Sequence, residues 1–401
     1  MDSVLTAIDC RYLLPAPGEQ ARRKNLQFLL ESLLRNMCYH DDLFRELYVG
    51  VQKDYYGDDD FNTKRVASYK IRFLLDVPKA IKTKLVTEAD RPALARAYVS
   101  DVTGGVRNRP AGVERLLDRY GYLDTRTTRR WLVNVASATI RKEWRKHHNN
   151  RYLVEHHLGD FYVEICEADA RLAVRPTKFA RGGLAPFDVH IEPCIYFGKS
   201  DWPPALRSNP LGREPNFFVT PKAAKRVKNT DQYWSPCFQL QERRLFNECP
   251  PFRTVVKLFK KMRRYINHAR VPESCFTNLV LTGLYDVHDG VRNPPSVQPL
   301  FFTVLKAYLR CLEDGRVPYF WNHRVNLMPD IGREVLSKMV ERVKNIIADL
   351  ESHPADAFLV AKYISKFRTN DSINGTKRFF VCSFTGEAIG ARKGFVQLTP
   401  A

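Results

Sequence analysis

Residues 68–78, with the sequence Ser-Tyr-Lys-Ile-Arg-Phe-Leu-Leu-Asp-Val-Pro, constrain the fold of this chain more than any other segment. The segment predicts a β-strand that ends at Pro78, because proline has no N–H to donate to a strand ladder. Alternate residues of a strand point to the same face, so Ser68 and Lys70 share one face of it. The strand therefore carries a hydroxyl group and an ammonium group side by side.

The segments around this strand divide the chain into a strand-rich first half and a helical second half. Residues 19–38 predict a long helix with one apolar stripe at helical spacing. The stripe consists of Leu26, Leu30, Leu33, Leu34 and Met37. The other predicted elements are helices at 112–118 and 126–146, strands at 161–166, 171–174 and 187–197, and helices at about 234–246, 251–267, 274–286, 298–313 and 330–350. This order predicts an α+β fold of two lobes, divided into domains 1–214, 215–352 and 353–401.

The composition favours an anionic partner. Lys and Arg number 64 against 44 Asp and Glu, which leaves a formal net charge of +20, and such an excess attracts nucleic acid, nucleotides, acidic lipid or an acidic protein surface. Hydrophobic residues make up 44% of the chain, enough for a folded core. No apolar stretch reaches the roughly 18 residues of a membrane span. Nine cysteines without a Cys-x-x-Cys pair indicate reduced thiols, which predicts a cytoplasmic or nuclear protein.

Six sequence blocks resemble, in the same order, blocks of one protein family. The strand at 68–78 resembles the family's Glu-Phe-Asp-Val-Met-Phe-Lys-Leu-Glu-Val-Pro, which carries two metal-binding acids. The other blocks are 44–45 with 55–56, 189–195 with 202–203, 218–222, 234–238 with Glu242, and 319–320 with 326–327. Over about residues 20–350 the chain resembles a Mab-twenty-one domain of the cyclic GMP-AMP synthase-like class. The resemblance implies a nucleotidyltransferase-like fold with a mixed sheet, a long N-terminal helix and a C-terminal helix bundle.

The resemblance also implies that the metal site of the family is lost in this chain. Active members bind two magnesium ions through carboxylates on this strand and its neighbour. The three acid positions fall on Ser68, Lys70 and His190, and a lysine there repels divalent cations. The family's Gly-Ser, which approaches phosphate, falls on residues 53–54, and its base-stacking tyrosine falls within 274–275. We therefore predict no catalytic residue, no bound metal and no cofactor.

Alternatives stay open both for the acids and for the lysine. A register shift of two residues presents Asp188 or Glu192 as the third acid. Asp58 and Asp60 have the spacing of an acid pair. Lys70 either forms an ion pair with Asp188 or Glu192, which fills the former metal site, or binds a phosphate group without metal. A buried lysine needs an anionic partner in both cases.

Two basic segments fall where nucleic-acid-sensing relatives carry a cationic platform, as the resemblance implies. The first is the start of the N-terminal helix, with Arg22, Arg23 and Lys24. The second segment consists of Lys257, Lys260, Lys261, Arg263 and Arg264. Only residues 247–251 occupy the place of those relatives' zinc-binding insertion, so no structural zinc is predicted.

These patterns predict an inactive nucleotidyltransferase-like protein that acts as a binding or scaffold module through a basic surface. The partner is duplex RNA or DNA, contacted through its phosphates, or an acidic protein. Residues 354–401 are a further candidate for a partner contact. The alternative function is an active metal-dependent enzyme that makes a cyclic dinucleotide on sensing double-stranded nucleic acid.

Overall fold

A computed structural model describes most of the chain between residues 19 and 353. The described residues are 19–56, 67–77, 83–87, 94–99, 112–155, 159–177, 186–198, 202, 206, 216–222, 233–287, 296–328, 330–353 and 363. They fall into two compact units. The sheet unit contains the described residues up to residue 245 together with 319–325, and the helical unit contains those of 246–318 and those from 326 onward.

Eleven strands of the described residues form one mixed sheet in the sheet unit. They are β1 (Tyr48–Tyr56), β2 (Ala67–Leu75), β3 (Thr83–Thr87), β4 (Ala95–Val99), β5 (Arg145–His148), β6 (Arg151–Val154), β7 (Phe161–Cys166), β8 (Arg171–Pro176), β9 (Phe187–Phe197), β10 (Phe217–Pro221) and β11 (Tyr233–Cys237). The hydrogen-bonded order is β3-β4-β11-β10-β9-β8-β7-β6-β5, and β2 links β1 to β9. The β2–β9 pair is parallel, whereas the pairs on either side of it, β1–β2 and β8–β9, are antiparallel.

In the chain, helices come before β1, between β4 and β5, and after β11. They are α1 (Glu19–His40), α2 (Asp42–Leu47), α3 (Thr125–Glu143), α4 (Gln239–Glu248), α5 (Pro250–Tyr265), α6 (Glu273–Val287), α7 (Val297–Glu313) and α8 (Arg333–Ser352). Short 3-10 turns lie at Val113–Leu116 and Glu167–Asp169, and β12 (Pro318–Tyr319) pairs with β13 (Asn322–Asn326). The described chain is therefore α+β, as predicted. None of its helices combines the length and the apolar character that a bilayer span requires.

The two helices of the sheet unit that matter for the site follow from simple local rules. In α1, Leu26, Leu30, Leu33 and Met37 of the predicted stripe are at most 1% exposed, whereas Leu34 is half-buried. The helix runs two residues past residue 38. α3 begins after Asp124, whose Oδ1 accepts a hydrogen bond from the Thr127 N–H at 2.5 Å. Such a cap satisfies one of the free N–H groups at the first turn.

Alternation in β2 and β9 gives the sheet one apolar face and one polar face at its centre. Tyr69, Ile71 and Phe73 are fully buried, and Val189 and Ile191 of β9 are also buried. Because the residues between them point the other way, the polar positions of both strands are held together by the packing of their apolar neighbours.

The helical unit has a core built from aromatic rings and one side of α8. Phe259 of α5 stacks on Phe276 of α6 at 5.7 Å between ring centroids and lies 4.8 Å from Phe301 of α7. Met339 and Val343 of α8 are among its buried residues. Packing of amphipathic helices around such a core follows the usual pattern of all-helical bundles.

Three predicted elements differ from the structure in type over part or all of their length. The helix predicted at 234–246 starts as β11, which pairs with β10, and becomes helical at Gln239. The helix predicted at 126–146 ends at Glu143 and continues as strand β5. The helix predicted at 112–118 is a single 3-10 turn. The predicted boundary between residues 214 and 215 precedes β10 and β11, which belong to the sheet unit.

Candidate functional site on the polar face of strands β2 and β9

The register of β2 against β9 assembles the candidate site. Three residue pairs lie side by side: Ser68 with Asp188, Lys70 with His190, and Arg72 with Glu192. Paired residues of neighbouring strands point to the same face, so all six side chains share it. The sequence prediction that Ser68, Lys70 and His190 lie together therefore matches the strand pairing. We call this set of six residues the polar face.

Glu192 is held by two cations of the neighbouring strand. Lys70 Nζ lies 2.6 Å from Glu192 Oε1, and Arg72 Nε donates to Glu192 Oε2 at 3.0 Å. The Arg72 Nη1 also donates to Gln239 Oε1 at 2.6 Å, and Gln52 Nε2 donates to the same oxygen at 3.0 Å. Both carboxylate oxygens of Glu192 are thus engaged, and its side chain is only 15% exposed.

Asp188 is held in the same way by β8. Arg171 Nη1 donates to Asp188 Oδ2 at 3.0 Å, and Arg175 Nη1 donates to Asp188 Oδ1 at 3.0 Å. Arg171 and Arg175 are four residues apart on one strand, so both point towards the face where Asp188 lies. Each of the two carboxylates of the polar face therefore binds two basic side chains.

His190 is the group at the third acid position, and its surroundings keep it uncharged. Burial lowers the pKa of His190 below the usual histidine value, and this effect is opposed by the Asp188 carboxylate. The nearby cations Arg171, Lys70 and Arg129 lower the pKa further. The imidazole is therefore neutral at pH 7, because a positive charge there meets both desolvation and like-charge repulsion.

The residues of the polar face do not fit a two-magnesium site. Magnesium requires oxygen ligands in nearly octahedral geometry, chiefly carboxylates, and the four oxygens of Asp188 and Glu192 are already bonded to cations. The positive groups Lys70, Arg72, Arg171 and Arg175 outnumber the two carboxylates, which makes the local charge repulsive to a divalent ion. No group of three or more His, Cys, Asp and Glu side chains in the described residues has metal-binding geometry.

Thiols close to this face do not supply the missing ligands. Burial raises the pKa of Cys237 to about 11, and burial raises that of Cys194 well above the usual thiol value. Both thiols are therefore protonated at pH 7, whereas the thiolate is the form that binds metal or attacks a substrate.

The structure separates the alternatives that the sequence left open. Of the two interpretations of Lys70, it shows the ion pair with Glu192. Asp188 and Glu192, the acids of a shifted register, lie on the polar face but are bonded to basic side chains. Asp58 and Asp60 lie outside the described residues. Arg171 and Arg175 were missed from the sequence, although their same-face spacing in a strand next to β9 was a usable signal.

The other positions implied by the resemblance lie in different surroundings. Residues 53–54 belong to β1, where Asp54 pairs in register with Lys70. In the helical unit, Cys275 of α6 is fully buried, and Asn278 Nδ2 donates to the Ser274 backbone oxygen at 2.7 Å. Neither Cys275 nor Asn278 therefore offers an exposed aromatic ring on which a base could stack.

The two basic segments belong to separate units. Arg22, Arg23 and Lys24 lie in the first turns of α1, where Arg23 and Lys24 are exposed. Lys257, Lys260 and Lys261 of α5 are partly exposed. The structure thus places six of the eight predicted basic residues at least partly in contact with solvent.

Arg263 does not share this exposure, which corrects its assignment as an anion-binding residue. Its side chain is 13% exposed, lies 3.5 Å from Glu273, and donates from Nη1 to the Val271 backbone oxygen at 2.5 Å. Arg263 therefore stabilises the connection between α5 and α6. Lys260 is also within 3.7 Å of Glu273 but is 34% exposed. The side chain of Arg264 lies outside the described residues.

Comparison with known proteins finds relatives that share one name. No protein-family model matches the chain. Three relatives, each named a cyclic GMP-AMP synthase-like receptor, match most of it. The protein of Tribolium castaneum is 24% identical over 377 residues, covering 91% of this chain and 92% of its own length. That of Aethina tumida is 22% identical over 378 residues, covering 91% of each chain. That of Trichogramma pretiosum is 26% identical over 392 residues, covering 90% of this chain and 75% of its own length. Together with the α+β fold and the mixed sheet, these similarities support the cyclic GMP-AMP synthase-like nucleotidyltransferase family for this chain.

Proposed function

We propose that this chain is a catalytically inactive nucleotidyltransferase-like protein that acts as a binding module. The observation that carries the proposal is the bonding of Asp188 and Glu192, each between two basic side chains. Nucleotidyl transfer in active relatives needs carboxylates that are free to hold two magnesium ions. Here Asp188 and Glu192, which lie on either side of the third acid position at His190, join neighbouring strands through ion pairs.

A turnover assay tests the loss of catalysis. The purified chain is incubated with labelled nucleoside triphosphates, magnesium or manganese, and duplex RNA or DNA, and products are separated by chromatography. We expect no cyclic or linear nucleotide product. A product that disappears in Asp188→Asn, but persists in the surface variant Glu164→Gln, supports the active-enzyme alternative and refutes the proposal.

The binding role is supported by the basic side chains of α1 and α5. Phosphate contacts from lysine and arginine give affinity without sequence readout, and this affinity falls as salt rises. The partly exposed residues Lys257, Lys260 and Lys261 suit this role, so we propose duplex RNA or DNA as the partner. If the chain does not bind duplex RNA or DNA in these tests, the partner is instead an acidic protein, including one that contacts residues 354–401. Buried, protonated thiols such as Cys237 support a cytoplasmic or nuclear location as part of the proposal.

Charge reversal with a matched control tests the surface. Lys257, Lys260 and Lys261 changed together to glutamate are expected to weaken duplex RNA binding at least a hundredfold and to reduce the slope of log affinity against log salt.

The control reverses three other lysines of the helical unit: Lys306, Lys338 and Lys344, which are 51%, 72% and 56% exposed. It changes the net charge by the same amount. Equal loss of binding in both variants means that only overall charge matters, and this result contradicts a defined surface on α5.

A further inference from the structure

A cleft beside α3 is lined by three arginines of this helix. Arg126, Arg129 and Arg130 line it from the helix, and Glu167 and Ala170 line it from the 3-10 turn and its end. Val133, Asn134 and Ala168 complete the lining, and the volume is about 520 Å³. We call this feature the arginine cleft. It lies wholly within the sheet unit.

The arginine cleft has an excess of positive charge. Its one acidic lining residue, Glu167, is bonded by Arg141, a residue of α3 that does not line the cleft. Arg129 Nη2 donates to the Asp169 backbone oxygen at 3.0 Å. Within the part of the chain that the structure describes, Arg126 and Arg130 have no hydrogen-bond acceptor. Among the described residues, no carboxylate therefore pairs with the guanidinium groups of Arg126, Arg129 and Arg130.

The three arginines destabilise α3 when no anion is bound in the cleft. Arg126 lies three residues before Arg129 and four before Arg130, so the side chains are neighbours on one side of α3. Like charges at these spacings destabilise a helix by a few tenths of a kcal/mol each. They also lie in the first two turns, where the helix dipole favours negative charge. An anion bound in the cleft relieves both effects.

We propose that the arginine cleft binds a compact small molecule that carries two or more clustered phosphate groups. Guanidinium groups match phosphate oxygens with paired hydrogen bonds. The volume lies within the range of about 300–1,000 Å³ that is typical of small-molecule sites. Val133 and Ala170 supply an apolar wall beside the cations.

The spacing of the cations favours this ligand over a duplex. Arg126 and Arg130 are separated by four residues, which is a rise of about 6 Å along α3. Cations that follow a nucleic-acid backbone are distributed along a much longer surface, because phosphates repeat along the whole strand. A concave cluster of this size therefore suits one polyphosphate group, from a nucleotide or from an inositol phosphate.

Calorimetric titration with three probes tests the proposal: inorganic tripolyphosphate, adenosine triphosphate and inositol hexakisphosphate, at about 150 mM salt without divalent metal. We expect one site per chain for at least one probe, and at least tenfold weaker binding for Arg126→Ala with Arg130→Ala. The relative affinities of the probes identify the source of the phosphate groups.

Two further variants separate a defined site from general charge. Arg126→Lys with Arg130→Lys keeps the charge but loses the guanidinium fork, so at least fivefold weaker binding is expected. Arg145→Ala with Lys146→Ala removes the same charge in β5, where neither residue lines the cleft, and should change affinity less than twofold. Arg145 is 72% exposed, so this control should fold normally.

Three results overturn the proposal. One is wild-type affinity in the double lysine variant, and another is equal loss in the Arg145 and Lys146 control, because both indicate general charge attraction. The third is duplex RNA binding that falls as much as polyphosphate binding in the double alanine variant. That last result assigns the cleft to a nucleic-acid surface instead.

Discussion

Replacing Glu192 by glutamine distinguishes a structural ion-pair network from a metal site by the sign of its effect on stability. Glu192 bonds Arg72, whose side chain is 9% exposed, and Lys70, whose side chain is 24% exposed. A hydrogen bond to a charged group contributes about 1.5–3 kcal/mol, and glutamine retains one acceptor oxygen. Breaking a fully buried pair costs about 3–5 kcal/mol, and partial exposure reduces this. We therefore expect Glu192→Gln to lower the free energy of unfolding by about 2–3 kcal/mol.

If this face held metal, Glu192→Gln would instead raise the free energy of unfolding. Clustered carboxylates repel each other in the metal-free state, so removing one relieves repulsion and often stabilises the fold at the expense of activity. The matched control is Glu164→Gln on β7, whose carboxylate is 39% exposed and lies 3.3 Å from Arg151. An exposed pair of this kind contributes at most about 1 kcal/mol.

Tryptophan fluorescence during urea unfolding measures the free energy of unfolding of the sheet unit, which contains Glu192. All five tryptophans belong to the sheet unit: Trp131, Trp144, Trp202, Trp234 and Trp321. A Glu192→Gln variant that is as stable as the wild type, or more stable, refutes the ion-pair network. Loss of stability in both the Glu192 and the Glu164 variants by equal amounts also refutes it, because exposed and buried pairs would then be equivalent.

Three other predictions concern stability and the basic surface. Leu33→Ala in α1 removes a fully buried side chain and should cost about 3 kcal/mol by urea unfolding, against less than about 1 kcal/mol for the half-buried Leu34→Ala. Burial lowers the pKa of His268 to about 4 from 6.5, so the unfolded chain takes up the proton first as pH falls. The free energy of unfolding therefore falls by about 3 kcal/mol between pH 6.5 and pH 4. His268→Gln should remove this fall when unfolding is followed by far-UV circular dichroism. Arg263→Ala should lower stability without changing duplex RNA affinity, whereas Lys257→Ala should do the reverse.

The central strands could be predicted from the sequence because apolar and polar residues alternate over 68–73 and 187–192. Buried residues such as Tyr69 and Ile71 in β2 alternate with polar ones, and the same is true of β9 at Val189 and Ile191. A period of two residues fixes which side chains share a face. Lys70 could therefore be assigned to the polar face of β2, and His190 to the polar face of β9, before their contacts were known.

The partners of the acids could not be predicted in the same way. Arg171 and Arg175 reach Asp188 because β8 pairs with β9 in one register, in which Arg171 lies opposite His190. Register between strands depends on tertiary packing and is not encoded by the pattern of either strand alone. The sequence therefore indicated that the metal acids were missing, but not that the remaining carboxylates were bonded to arginines.

Element ends were missed where tertiary pairing decides the local conformation. The run at 234–238 has no clear period, and its strand forms because it pairs with β10 while the Trp234 Nε1 donates to the Leu123 backbone oxygen at 3.0 Å. Arg263 is a similar case, since its position among basic residues gave no sign that it turns towards Val271. Charge alone does not distinguish a surface arginine from one that bonds a backbone carbonyl.

Manganese binding is the most direct test of whether the catalytic metals have been lost. Electron paramagnetic resonance counts the ions bound to the wild-type chain in the presence of a nucleoside triphosphate, and the count is repeated with Asp188→Asn. We expect no protein-bound manganese that depends on Asp188. Two manganese ions per chain in the wild type, both absent in Asp188→Asn, would contradict the proposal that cations occupy the carboxylates of this face.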